Sequence, residues 1–181
     1  DVQLFVCTAS LDPIRLRSLF FFFSCAGVLY VACALLPPTN YDALEYHLAV
    51  PEAWLKEHSW VSFPLNVYAW FPMSVELLYL WGLALGDSPT TTVINLYFAV
   101  SCAVAVWSLG RRRGGGETGW LAVLLFVSSG LVMRLVVQAD IDLGVCFYSL
   151  LALLAYVYWY EGGGNRLLAR SRVPPPSSRG R

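Results

Sequence analysis

The apolar residues of this chain fall into long blocks, and that distribution limits the fold more than any average does. Leu16 to Leu36, Thr92 to Leu109, Trp120 to Val137 and Leu143 to Tyr160 each approach the roughly 20 residues a helix needs to cross a hydrocarbon core. Soluble domains are about 45–50% apolar and about 25% charged. Here 57% of the residues are hydrophobic and 13% are charged. The expected fold class is therefore an all-α membrane protein with about four transmembrane helices.

The net charge of zero argues against a nucleic-acid partner. Cys7, Cys25, Cys33, Cys102 and Cys146 form no C-x-x-C pair and sit mostly in apolar blocks, so they read as small hydrophobes, not as zinc or redox ligands. The chain opens at Asp1 and not at Met, as a fragment would. Pro37 and Pro38 follow the first block without a signal-cleavage pattern, which makes that block a span or an uncleaved anchor.

Residues 37–91 are mixed. Tyr41 to Val50 and Pro51 to His58 read as short helices, the first capped by Thr39 or Asn40. Trp54, Trp60, Trp70, Tyr41, Tyr46 and Tyr68 crowd this stretch, as aromatic rings do at a membrane–water interface. Met73 to Leu85 is apolar but too short to span, and Glu76 interrupts it, so it reads as an interfacial or re-entrant helix. Gly86-Asp87-Ser88-Pro89 is a turn. Glu161 onward is rich in Gly, Pro, Ser and Arg and is expected to be a disordered basic tail over 161–181.

Charge placement decides the number of crossings. With four spans (16–36, 92–109, 120–137 and 143–160), Arg15, Arg17, Arg111, Arg112, Arg113, Arg166, Arg170, Arg172, Arg179 and Arg181 share one face. These are ten of the twelve basic residues. The positive-inside rule makes that face cytoplasmic. A fifth crossing at 73–85 would move the arginine run outside, so residues 37–91 form one long external loop carrying juxtamembrane amphipathic helices.

This topology brings Asp42 to the same surface as Asp140 and Asp142. Carboxylates there can bind a divalent metal or serve as a general base, although solvated loop acids are the ordinary alternative. Glu45 and Tyr46 share an α-helical face with Asp42, whereas His47 lies about 140° away around an α-helix. His47 then reads as a hydrogen-bonded structural residue, and His58 as a helix-end cation. Arg134 is either a snorkelling side chain or a phosphate contact. Glu76 reads as an interfacial snorkel.

Pro38-Thr39-Asn40-Tyr41-Asp42-Ala43-Leu44-Glu45-Tyr46-His47-Leu48-Ala49-Val50-Pro51 resembles the first external loop of bacterial multi-spanning glycosyltransferases of the GT-C fold, the protein O-mannosyltransferase and aminoarabinose transferase group. Phe71-Pro72-Met73 with Glu76-Leu77-Leu78-Tyr79 is similar to that family's second loop helix. Leu109-Gly110-Arg111-Arg112-Arg113 with Gly119-Trp120-Leu121-Ala122 resembles its cytoplasmic turn, and Ala139-Asp140-Ile141-Asp142-Leu143 its second acidic loop. The likeness covers residues 14–160. It implies a transferase of the bacterial inner membrane that moves a sugar from a polyprenyl-phosphate-linked donor to an acceptor on the external face. The first-loop acid of the family maps onto Asp42 and the second onto Asp140 or Asp142. A divalent cation would rest on Asp42 and Asp140, and Glu45, Tyr46, His47 and Arg134 are the expected substrate contacts. Members of the family have more spans than four, so the chain is expected to be a truncated member lacking later donor-binding parts, and its activity alone is left open. A transporter subunit and a non-catalytic membrane scaffold are the competing classes.

Overall fold

The computed structural model describes residues 13–162, and all regular structure among them is helical. The expectation of a disordered tail falls almost entirely outside the described residues. Its first residues, Glu161 and Gly162, complete the last helix.

Helix α1 (Pro13–Ala34) begins on a proline, whose fixed φ suits a first turn, and ends before Pro37 and Pro38. A single π-helical turn (Ala43–His47) leads into α2 (Ala49–Glu57). A 3-10 turn (Val67–Trp70) and α3 (Glu76–Leu85) follow. Then come α4 (Ser88–Val127), α5 (Gly130–Val137) and α6 (Asp142–Gly162).

The long α4 is two antiparallel limbs. Gly115 has φ +84, a left-handed conformation that glycine adopts without penalty, and the chain reverses there. A Cβ on Gly110 would lie 3.0 Å from Gly119 Cα. In a straight helix those residues would be about 13 Å apart. The missing side chains let the two limbs touch, with Trp107 packed over Gly119. The reversal falls where the arginine run and Gly114-Gly115-Gly116 predicted a turn.

The predicted 120–137 span is not one helix. It breaks at Ser128 and Ser129, and Ser129 is extended (ψ 120). The Ser128 hydroxyl donates 2.7 Å back to the Leu124 carbonyl, the local competition that makes serine a poor interior residue, and Gly130 follows.

Helix directions follow from paired contacts. Phe23 lies 5.6 Å from Trp120, and the Tyr30 hydroxyl donates 2.8 Å to the Val127 carbonyl, so α1 runs parallel to the second limb of α4. Phe98 lies 5.7 Å from Phe147, and Arg112 pairs with Glu161, so α6 runs parallel to the first limb. The Thr92 hydroxyl bonds the Ala34 carbonyl at the end of α1. The bundle therefore has an arginine end, with Arg112 and the glycine reversal, and an acidic end, with Asp42, Asp140 and the start of α6.

Two helices are long and apolar enough to cross a membrane, Ser88–Val127 and Asp142–Glu161. A core helix of a soluble protein would be mostly buried, yet only 28% and 11% of their most apolar windows are buried. The 21 residues of α6 span about 31 Å, the thickness of a hydrocarbon core. Phe20–Ala34 and Glu76–Leu85 are shorter apolar helices. Phe20, Phe21, Val28 and Leu125 stand more than half exposed, and each would gain about 1.5–3 kcal/mol by leaving water.

Candidate functional site

The polar core of the molecule sits at the acidic end. Asn95, fully buried in α4, is its hub. Its amide nitrogen lies within hydrogen-bond reach of the carbonyls of Leu135 (3.1 Å), Gln138 and Asp140 (3.1 Å), which share its two N–H groups. Those carbonyls lie beyond the last turn of α5 or in its final turn, where no helical donor remains for them. Asn95 Oδ1 and the Asp140 carbonyl each lie 2.7 Å from the Tyr79 hydroxyl, which donates to one or the other. One asparagine thus fixes the turn before α6 against α3 and α4.

That turn presents Asp140, which is buried, with only 6% of its surface exposed. Its Oδ1 accepts 2.6 Å from the Asn40 amide, on the segment that follows α1. Burial pushes the Asp140 carboxyl above its ordinary range; the Asn40 bond and His47 oppose that, and Asp142 and Asp42 add to it. Asp142, exposed in the first turn of α6, is also favoured there by the helix dipole. Asp42 is exposed at the start of the π turn.

The π turn changes the phase of the first loop. Leu48 donates 2.9 Å to the Ala43 carbonyl, an i+5 bond. Asp42 is exposed and His47 buried, so the two still stand on different faces, as expected. His47 is carried inward, and its Nδ1 lies 2.7 Å from Glu76 Oε1. Both side chains are nearly sealed, at 5% and 3% exposed. Glu76 is thus a buried partner of His47, contrary to the expected interfacial snorkel. It faces inward because Glu76, Tyr79 and Gly82 form the buried stripe of α3, whereas Leu77, Trp81 and Leu85 face out. Glu76 Oε2 is buried with no hydrogen-bond partner, an arrangement that costs about 1–3 kcal/mol.

Tyr46 is half-buried beside His47, with ring centroids 4.0 Å apart, and stacks on Tyr68 at 5.0 Å. Burial, then Asp42, Asp140 and Glu76, raise its hydroxyl above the ordinary phenol value. Phe71 meets Tyr68 edge-on at 5.8 Å. The result is an aromatic wall beside the carboxylates.

The remaining expected contacts stand apart. Glu45 is exposed, and its carbonyl takes a 3.3 Å bond from Asn66. Arg134 is exposed on α5 and donates 3.3 Å to Gln138. His58 is exposed just past the end of α2, in a left-handed conformation. No group of three or more His, Cys, Asp or Glu side chains among the described residues is arranged to hold a metal ion.

Asn95, Tyr79, Asn40 and Glu76 were not singled out as site residues from the sequence. The Asn95 amide inside a mostly apolar span was the available signal, since such a group must find internal partners. An apolar groove of about 630 Å³ lies between α1 and the limbs of α4, lined by Phe23, Tyr30, Trp107, Trp120, Phe126 and Val132 among others. It holds none of the acids. No family model, curated protein or solved structure matches the chain.

Proposed function

We propose that this is a four-pass membrane glycosyltransferase that moves a sugar from a polyprenyl-phosphate-linked donor to an acceptor on the external face of a bacterial inner membrane. In this reading the chain crosses four times, through α1, the first limb of α4, the second limb continued by α5 across the Ser128–Ser129 break, and α6, with the 37–91 loop and the second external turn outside and the arginine reversal in the cytoplasm. The observation that carries the reading is the cluster at the acidic end. Asp42, His47, Glu76 and Asp140 gather beside aromatic rings on a bundle whose helices expose apolar surface.

Asp42 orients or deprotonates the acceptor nucleophile. Asp140 and Asp142 supply the second acidic position. The wall of Tyr46, Tyr68 and Phe71 offers an apolar floor for the C–H face of a sugar ring. Arg134, on an exposed face near the same end, offsets charge on the leaving lipid phosphate. The groove runs from Phe23 and Trp120 to Tyr30 and Val132, toward the acidic end, and suits an apolar polyprenyl chain. Asp42 and Asp140 are the residues that would hold a divalent cation, which would neutralise phosphate charge.

The test is transfer of radiolabelled sugar from a synthetic polyprenyl-phosphate sugar by the full chain in proteoliposomes. Wild type transfers label to an external acceptor, and Asp42→Asn lowers the rate by about 10²-fold or more. Absence of transfer by wild type, or full activity in Asp42→Asn, overturns the reading.

A further inference from the structure

We propose that His47, held by Glu76, is the group that finally takes the acceptor's proton, an assignment that rests on the transfer reading above. The two residues lie 29 positions apart, and their side chains meet at 2.7 Å in a buried setting. An ionised carboxylate only accepts hydrogen bonds, so Nδ1 carries the proton and the Nε2 lone pair is left available. Among the described residues Nε2 has no hydrogen-bond partner, and it is not among their sealed unpartnered atoms, which are Glu76 Oε2 and Trp107 Nε1. It is therefore the atom of this pair that keeps what little exposure the His47 side chain has.

Packing alone does not explain the pair. Two apolar side chains would fill the same space without leaving a carboxylate oxygen buried and unpartnered, and buried ionic pairs often add no stability over apolar replacements. A carboxylate and a histidine ring in contact, with the outer nitrogen open, form an oriented base. Asp140 lies close enough for His47 to act on it electrostatically. An imidazolium formed at His47 is thus met by two acids, Glu76 in contact and Asp140 nearby.

In the step, the acceptor oxygen or nitrogen bonds to the anomeric carbon of the donor. The bond from that carbon to the phosphate oxygen breaks, and its electron pair leaves with the polyprenyl phosphate. The acceptor's proton passes to His47 Nε2 and then to water. Exposed Asp42 orients the acceptor, and Glu76 acts as a positioning residue.

The experiment combines the transfer assay with ¹⁵N spectra of histidine-labelled protein in nanodiscs. The chain has two histidines, so His58→Asn leaves His47 as the single ring signal. That variant shows the Nδ1–H tautomer, and adding Glu76→Ala converts it to the Nε2–H form. His47→Asn keeps an amide donor facing Glu76, so the fold survives, but transfer falls about 10²–10⁴-fold. His47→Asn transferring at the wild-type rate, or an Nε2–H tautomer with Glu76 intact, overturns the assignment while leaving the transfer reading in place. Wild type that transfers nothing overturns both. Where Glu76→Ala fails to fold, His47→Asn decides alone.

Discussion

Asn40 donates a 2.6 Å hydrogen bond to Asp140 across 100 residues of sequence. That bond joins the segment leaving α1 to the turn that starts α6, and it holds a buried carboxylate at the acidic end. Asn40→Ala should destabilise the protein by about 1.5–3 kcal/mol, the usual range for a hydrogen bond to a charged group. Denaturant unfolding in detergent micelles measures this. A change within about 0.5 kcal/mol would show that the bond does not hold the two segments together.

The Asp140 carboxyl is raised mainly by burial, so the folded state keeps its proton to higher pH than the unfolded chain does. Its contribution to stability is then fully present below the unfolded carboxylate value of about 3.9 and is lost as pH rises through the folded value. Melting temperature should fall over that interval in wild type and less steeply in Asp140→Asn. Parallel curves for the two proteins would contradict the burial account.

Asn95→Ala should be the most damaging single change at the acidic end. It strips partners from up to three backbone carbonyls and from the Tyr79 hydroxyl. We expect a loss of about 2–4 kcal/mol, with Tyr79→Phe costing about 1–2 kcal/mol. Because both residues serve one network, the double variant should cost less than the sum of the two.

The hairpin within α4 depends on close approach. Gly119→Val places methyl groups where Trp107 already lies 3.0 Å from an added Cβ, so overpacking should cost about 1–3 kcal/mol. Gly115→Ala, at φ +84, should cost about 1–2 kcal/mol through backbone strain alone. Gly116→Ala, with nothing within 4 Å of an added Cβ, is the matched control and should be nearly neutral. Thermal unfolding of the three variants orders them.

The apolar blocks and the arginine–glycine run made α1, the α4 reversal and α6 legible, because length and charge act locally. That Asp42 stands close enough to Asp140 to act on its charge was legible only through topology. His47 was legible as a hydrogen-bonded residue, but its partner and the π-helical turn that carries it were not encoded by residue spacing. Glu76 looked like a snorkel because its partner lies 29 residues upstream, beyond any periodicity. The break at Ser128 and Ser129 left a trace in its residue types, but the apolar run on both sides hid it. Asn95 was read as one more residue of a span, although its amide organises the turn that carries Asp140.

The central claim is that the acidic end faces outward and the glycine reversal faces the cytoplasm. Single cysteines at Glu57, Gly116 and Ile141, in a background with all five native cysteines replaced, would be labelled with a membrane-impermeant maleimide in intact spheroplasts. Positions 57 and 141 should label from outside, and position 116 only after permeabilisation. Labelling of 57 and 141 from opposite faces, or of 116 from outside, would contradict the four-pass arrangement on which the proposed transfer site depends.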